Sequence, residues 1–225
     1  MTAAAALAVL PAAGLWLWVF RAGPRGFWRR MGWAAGLLGA AGLGLGRPAL
    51  GPPTAADLGE GAAAALGLWV VFWLGARGLR AVAPRLADRA GAVYGLVAPR
   101  SRWAVTILLL AVVGPGEELF WRGLVQRSLA HRLPTGLAVL AGAGLYAWAH
   151  VVTGDPVLVL AAGVGGLWWG GVYAVTGRLW VAVVAHAVWD PLALVWLPLE
   201  GPRPGGAAGR RGRTRGRGAE RTTRG

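Results

Sequence analysis

The sequence predicts an all-α polytopic membrane protein, a bundle of about seven transmembrane helices with a range of six to eight. Hydrophobic residues make up 56% of its 225 residues and charged residues only 14%, which is more apolar side chain than one soluble core of this length uses. Apolar runs of roughly the 20 residues needed to cross a hydrocarbon core recur between charged segments. Cysteine is absent, which excludes a disulfide framework, a thiolate nucleophile and Cys-ligated zinc.

The first apolar run is predicted to be an anchor helix. It lacks a basic region before it and a cleavage site after it, so it does not resemble a removable signal peptide. The second and third runs are short and rich in glycine, which sets the range in the helix count. The predicted spans are approximately 3–20, 31–45, 62–76, 103–125, 136–152, 156–176 and 179–199.

The distribution of arginine predicts the orientation in the membrane, because cytoplasmic connections carry an excess of basic residues. Arginines concentrate in loop 21–30, in segment 77–102 and in the tail after Gly201. With the N-terminus outside, all three lie in the cytoplasm and the connection 46–61 lies outside. The connection 127–132, which is also basic, is the exception. The composition, rich in Ala, Gly and Arg, is typical of a GC-rich genome, and we expect a bacterial cell membrane.

Two polar segments are not expected to cross the bilayer. Segment 81–98 is predicted to lie in the interface as an amphipathic stretch. The tail 200–225 has almost no apolar residue, so it should be disordered, and its arginines suit anionic lipid headgroups. A nucleic-acid partner is disfavoured because the net charge of +14 is not gathered on one face and the tail has no aromatic residue to stack on bases.

Tryptophans near the ends of predicted spans are expected to be interfacial anchors, because indole rings concentrate at both membrane–water boundaries. This interpretation covers Trp16, Trp18, Trp33, Trp103 and Trp180.

Ionisable residues inside the predicted spans carry most of the functional information, because such groups are costly at bilayer depth and normally face a bundle interior or a wet cavity. Glu118 and Arg122 are four residues apart and can form an ion pair on one helix face. His186 and Asp190 share that spacing on the last helix. Glu117 projects about 100° away from Glu118 and can face a cavity. The full set is Glu117, Glu118, Arg122, His150, His186 and Asp190.

This set fits hydrolysis. Glu117 could take a proton from water as a general base, and nearby histidines could donate hydrogen bonds to an oxyanion. Alternatively His150 and His186, with Glu117 or Asp190, could hold zinc or another divalent metal and leave an open position for water. Zinc is plausible on ligand chemistry but is not required, so a metal-free water activated by glutamate also stays open.

Two other interpretations stay open. The adjacent glutamates follow Gly-Pro-Gly and could cap a helix that enters from a loop, since acids near a helix N-terminus are favourable. The whole set could also belong to a non-catalytic membrane scaffold or a small transporter that relays protons or binds an ion.

The motifs resemble those of one family. "EELFWR" at 117–122 is similar to the E-E-x-x-x-R motif of the CPBP (CAAX prenyl protease and bacteriocin-processing, or Abi) intramembrane metalloproteases. "YAWAH" at 146–150 resembles the second motif of that family, with Tyr146 in the usual phenylalanine place. Segment 166–190 resembles the third and fourth motifs, a glycine-rich helix and a final H-x-x-x-N/D. The resemblance covers about 103–195.

The resemblance implies an intramembrane endopeptidase that acts on a membrane-associated peptide, which is prenylated for some members. Carried over by position, Glu117 is the water-activating base, Glu118 and Arg122 are its neighbours, and His150 and His186 bind metal or stabilise an oxyanion. Asp190 replaces the asparagine of the family, and a carboxylate does not donate a hydrogen bond unless protonated. Its role is then to orient His186 or to bind metal.

The chain is accordingly divided into three parts. Residues 1–102 form N-terminal transmembrane helices with a basic cytoplasmic or interfacial segment, 103–199 form the catalytic core, and 200–225 form the Arg/Gly-rich tail, which is expected in the cytoplasm.

Overall fold

The computed structural model describes residues 3–97 and 101–199, and within these ranges the chain is helical and contains no strand. The tail 200–225, for which disorder is predicted, lies outside the described residues. The helices are α1 (Ala3–Phe20), α2 (Gly23–Ala41, extended by a π-helical turn Gly42–Gly46), α3 (Ala55–Val82), α4 (Pro84–Val97), α5 (Arg102–Ala130), α6 (Thr135–Thr153), α7 (Pro156–Thr176) and α8 (Leu179–Trp196).

The predicted all-α membrane bundle is confirmed. Five helices of the described part, α3 and α5 to α8, are long and apolar enough to cross a membrane, and α1 contains a shorter apolar stretch, Ala8–Phe20. Large apolar side chains such as Leu66, Leu137 and Leu160 are exposed on their outer faces. An outward apolar surface of this kind fits contact with lipid instead of water.

Several helix ends differ from the sequence prediction. Helix α2 begins at Gly23, so most of the predicted loop 21–30 is helical. Helix α3 begins at Ala55 because Thr54 and Asp57 form a reciprocal capping box, in which the Thr54 backbone N–H donates to the Asp57 carboxylate over 2.8 Å. Hydropathy detects the apolar centre of a helix, whereas such caps set its ends. The polar segment 81–98 forms α4 over most of its length.

Helix α5 runs without interruption through Gly114, Pro115 and Gly116. A π-helical turn, Leu109–Val113, comes directly before them, where proline removes one backbone donor. A Cβ at Gly114 would collide with the backbone of Ala187 in α8, and one at Gly116 would collide with the carbonyl of Ala35 in α2. The glycines therefore let α5 lie between α2 and α8. The helix-capping interpretation of the glutamates is wrong, because they lie in a helix interior.

The N-terminal helices and the predicted catalytic core share one hydrophobic core. Val9 and Trp16 of α1 belong to the same buried cluster as Phe120 of α5, Tyr146 of α6 and Ala185 of α8. Helix α1 therefore packs on the helices that carry the ionisable residues.

Candidate active site

Glu118 is the centre of a buried charged cluster. Its side chain is completely buried, and its Oε1 atom accepts a hydrogen bond from Nη1 of Arg122 at 2.9 Å. The same oxygen lies 2.7 Å from Nδ1 of His186. The predicted ion pair between Glu118 and Arg122 is thus present, and it is joined by a histidine from α8. Partners on two sides reduce the large desolvation penalty of the buried carboxylate.

Arg122 and Gln126 fix α5 against α7. Nη2 of Arg122 donates to the carbonyl oxygen of Gly166 over 2.8 Å, and Nε2 of Gln126 donates to that of Gly170 over 3.0 Å. Both donors and both acceptors are four residues apart, so the pairs occupy successive turns of the two helices. The sequence interpretation missed Gln126. The sequence feature that could have indicated it is an amide side chain one turn beyond Arg122, on the same face of an apolar helix.

Glu117 is also buried, with 5% of its surface exposed. Its Oε2 atom accepts a hydrogen bond of 2.7 Å from the hydroxyl of Tyr146 in α6. Among the described residues this is its one hydrogen bond, and it has no cationic partner within salt-bridge distance. The role of Tyr146 was missed from sequence, although a tyrosine in the usual phenylalanine place was the signal for it.

His186 is held on three sides. Besides Glu118 at Nδ1, its Nε2 atom lies 3.5 Å from Oδ1 of Asp190. The indole of Trp169 in α7 stacks on the imidazole, with ring centroids 3.7 Å apart and planes inclined by 12°. The predicted pairing of His186 with Asp190 is therefore present, whereas the stacking of Trp169 could not be read from spacing.

His150 lies one helical turn beyond Tyr146. Its Nδ1 atom is 2.8 Å from the backbone carbonyl oxygen of Tyr146, which accepts a hydrogen bond and so places the proton on Nδ1. Nε2 is then the nitrogen available to water or substrate. His150 makes no hydrogen bond to Glu117 or His186 within the described ranges. The structure connects it to the cluster through Tyr146, whose ring centroid is 4.7 Å away.

Trp16 completes this side of the site. It is 1% exposed, and its ring centroid lies 5.4 Å from that of His150. The prediction that Trp16 is an interfacial anchor is wrong, because α1 turns this residue toward α6. Trp18, two residues later, is 41% exposed. Helix periodicity separates the two side chains by about 200°, which explains the difference.

The donor atoms do not fit a bound metal in this arrangement. In residues 3–97 and 101–199, no group of three or more His, Asp and Glu side chains is arranged to hold a metal ion. Both ring nitrogens of His186 face carboxylates, whereas ligation needs one nitrogen with a free lone pair. His150 and His186 could bind the same metal ion only after the ring of His186 turns away from Glu118 or Asp190. The expected metal site therefore stays a prediction.

One comparison with known proteins found a match, over the part of the chain that contains the cluster. Residues 99–192 match the family model described as type II CAAX prenyl endopeptidase Rce1-like. This region is similar to the CAAX prenyl endopeptidases. The matched region contains Glu117, Glu118, Arg122 and the histidines and aspartate of the cluster, whereas Trp16 lies before it. No curated protein and no solved structure matched the chain significantly.

Five helices long and apolar enough to cross a membrane indicate an integral, multi-pass membrane protein, and residues 99–192 are similar to CAAX prenyl endopeptidases. Within the described residues, its buried cluster combines two imidazoles with three carboxylates: Glu117, which has no ion pair, Glu118, bound by Arg122 and His186, and Asp190 beside His186. Carboxylates and imidazoles of this kind can accept and donate protons.

Proposed function

We propose that this chain is an intramembrane endopeptidase in which Glu117 activates the attacking water. The observation that carries the proposal is the difference between the two adjacent glutamates. Glu118 is bound by Arg122 and His186, whereas Glu117 accepts one hydrogen bond, from Tyr146. A carboxylate that is not committed to an ion pair is the better proton acceptor, so Glu117 is the general base.

The hydrolysis proceeds by addition and elimination. Glu117 takes a proton from water as the water oxygen forms a bond to the carbonyl carbon of the scissile peptide bond. The proton passes from Glu117 to the amide nitrogen as the carbon–nitrogen bond breaks, and a carboxyl group and an amine are released. No oxidant or further reactant is needed.

We assign His186 to the stabilisation of the developing oxyanion and His150 to the positioning of water. The Nε2 atom of His186 is 3.5 Å from Asp190, longer than an ordinary hydrogen bond. The imidazolium form carries a proton on each ring nitrogen, so its Nε2 can donate to an oxyanion while Nδ1 keeps its 2.7 Å contact with Glu118. Asp190 orients the ring in this mechanism. Its carboxylate does not replace the donor that asparagine supplies in the family.

The substrate is a membrane-associated peptide, and the family model points to a prenylated C-terminus. The cluster is formed by α5, α6 and α8, each of which is long and apolar enough to span a bilayer. A peptide held at the membrane by a prenyl chain would have its C-terminal bonds near such a site.

The proposed location is a bacterial cell membrane with the C-terminal tail in the cytoplasm, where arginines of the tail can meet anionic headgroups. Because the chain has no cysteine, single cysteines can report the topology directly. Cysteine at Thr214 should be protected from a membrane-impermeant maleimide in intact cells, whereas cysteine at Gly51 should be labelled. The reverse pattern would overturn the orientation.

Glu117→Gln tests the mechanism. The full chain is purified in detergent and given an internally quenched peptide that ends in a farnesylated Cys-a-a-X sequence. We expect the wild-type protein to cleave it, and loss of the general base to lower kcat by roughly 10²- to 10⁴-fold. Glu60→Gln is the matched control, because Glu60 is an exposed acid bound to Arg178 away from the cluster.

Undiminished cleavage by the Glu117→Gln variant would remove the mechanism. No cleavage by the wild-type protein of this peptide or of unprenylated membrane peptides would favour the alternative, a non-catalytic scaffold or small transporter. In that case Glu117→Gln should alter ion or proton movement in proteoliposomes instead.

A further inference from the structure

Tryptophan indole groups with no hydrogen-bond acceptor surround the candidate active site. Among the described residues, the buried Nε1 atoms of four tryptophans have no partner: Trp16, Trp121, Trp169 and Trp189. An indole N–H is a donor only. A buried donor without an acceptor is unfavourable, so a concentration of such donors at one place calls for a physical explanation.

These indoles form one network around the site. The ring centroid of Trp16 is 5.4 Å from His150, that of Trp121 is 5.1 Å from Tyr146, and that of Trp169 is 3.7 Å from His186. Trp189 lies 5.7 Å from Trp169. The rings that carry the unsatisfied donors therefore come from α1, α5, α7 and α8. Three of them contact His150, Tyr146 or His186, and Trp189 contacts Trp169.

Other indoles of the chain behave differently. Four other tryptophans donate their indole N–H to a protein oxygen atom. Within the described part of the chain, none of these four rings contacts Tyr146, His150 or His186. Their acceptors are Leu197 for Trp69, Ala64 for Trp168, Gly51 for Trp180 and the hydroxyl of Thr106 for Trp196. The adjacent residues Trp168 and Trp169 show the contrast most directly, because only Trp168 uses its N–H within the protein.

The site also contains an unsatisfied acceptor. The Oε2 atom of Glu118 is buried and has no donor among the residues that the structure describes, while its Oε1 atom contacts both Arg122 and His186. The occupant that suits this lining supplies several hydrogen-bond acceptors and at least one donor. An extended peptide backbone does so at every residue. A prenyl or acyl chain supplies neither.

We propose that the unpaired indole N–H groups bind backbone carbonyl groups of the substrate peptide, with Trp16 and Trp169 as the principal donors. This inference rests on the proposed function and adds to it a peptide-binding subsite beside the two histidines. It also makes α1 a part of the site, although Trp16 precedes the family match at residues 99–192. Trp16 and Trp169 are 1% and 3% exposed, so the substrate peptide reaches their N–H groups only when the side chains that cover them move aside.

Binding is measured in the Glu117→Gln background, which separates affinity from turnover. The probe is a fluorescent peptide ending in farnesylated Cys-a-a-X. Trp16→Phe and Trp169→Phe retain an aromatic ring but lose the donor, and each should raise Kd by roughly two- to tenfold, the value of one hydrogen bond. Trp18→Phe and Trp168→Phe are the matched controls, on the same two helices, and should leave Kd unchanged.

Two further probes identify what the donors bind. Farnesylcysteine methyl ester, which has no peptide bond, should bind equally to all variants. A peptide whose bond at the cleavage position is an ester presents a weaker carbonyl acceptor, and it should bind the protein with both tryptophans intact more weakly than the amide peptide does. This second comparison needs no substitution of tryptophan and so does not depend on how a variant folds.

The proposal is overturned if Trp16→Phe and Trp169→Phe bind the peptide as the controls do, since water alone then satisfies the donors. It is also overturned if farnesylcysteine methyl ester loses affinity to the same extent, since packing is then the cause. A failure of the proposed function looks different: the peptide would bind with the expected dependence on Trp16 and Trp169, but the wild-type protein would not cleave it.

Discussion

The hydroxyl group of Tyr146 donates a 2.7 Å hydrogen bond to Glu117 across the interface between α6 and α5. This contact orients the carboxylate to which we assign the proton transfer. It joins the helix that carries the paired glutamates to the helix that carries His150.

Tyr146→Phe should lower kcat by roughly two- to tenfold, because one hydrogen bond to the base is lost while the ring remains. KM should change less, since Tyr146 acts on Glu117. Tyr173→Phe is the control, because the hydroxyl of Tyr173 makes no hydrogen bond among the described residues. A kcat equal to that of Glu117→Gln would show that Tyr146 takes part in the proton transfer itself, contrary to this assignment.

Arg122→Met should destabilise the fold strongly. It removes one partner of the fully buried Glu118 and the hydrogen bond to the Gly166 carbonyl, and breaking a buried pair costs about 3–5 kcal/mol. Thermal unfolding in detergent measures the effect. Arg127→Met is the control, since Arg127 contacts backbone carbonyls of the turn at Gly46 and lies nearer the surface. Equal melting temperatures for the two variants would contradict the role of Arg122.

Removal of divalent metal should leave cleavage unchanged, because both nitrogens of His186 are directed to carboxylates. The purified protein is dialysed against EDTA and then against 1,10-phenanthroline, and cleavage of the farnesylated peptide is followed. Bound metal is measured in parallel by elemental analysis. Loss of activity that Zn²⁺ restores would show that His150 and His186 rearrange to form the metal site considered from the sequence.

Gly116→Ala should lower stability by roughly 1–3 kcal/mol or more, because the added methyl group would collide with the backbone of Ala35 and force α5 away from α2. Gly144→Ala in α6 is the matched control, since a Cβ there meets no atom within 4 Å. Replacing that glycine in a helix should preserve stability or raise it by about 0.5–1 kcal/mol. If both variants unfolded at the same temperature, the close approach of α5 and α2 would be wrong.

Local order was predictable from sequence, because it depends on neighbours along the chain. Apolar length located the centres of the long helices, and the spacing of four residues correctly paired Glu118 with Arg122 and His186 with Asp190. The ends of α2 and α3 were missed, because caps and packing set them. The continuous course of α5 through Gly114 and Gly116 agrees with the predicted span 103–125, but the packing of those glycines against α8 and α2 could not be predicted from sequence.

The sequence by itself determined that the chain is a helical membrane protein and which few ionisable residues its apolar helices retain, because burial in lipid penalises every unpaired charge. Only the tertiary structure decided which carboxylate each histidine meets, that Tyr146 binds Glu117, and that Trp16 and Trp169 cover His150 and His186. These contacts join residues on different helices, and their geometry depends on how side chains of many residues pack between the helices. Helical periodicity fixes the face on which a residue lies, but it does not fix the partner that this face meets.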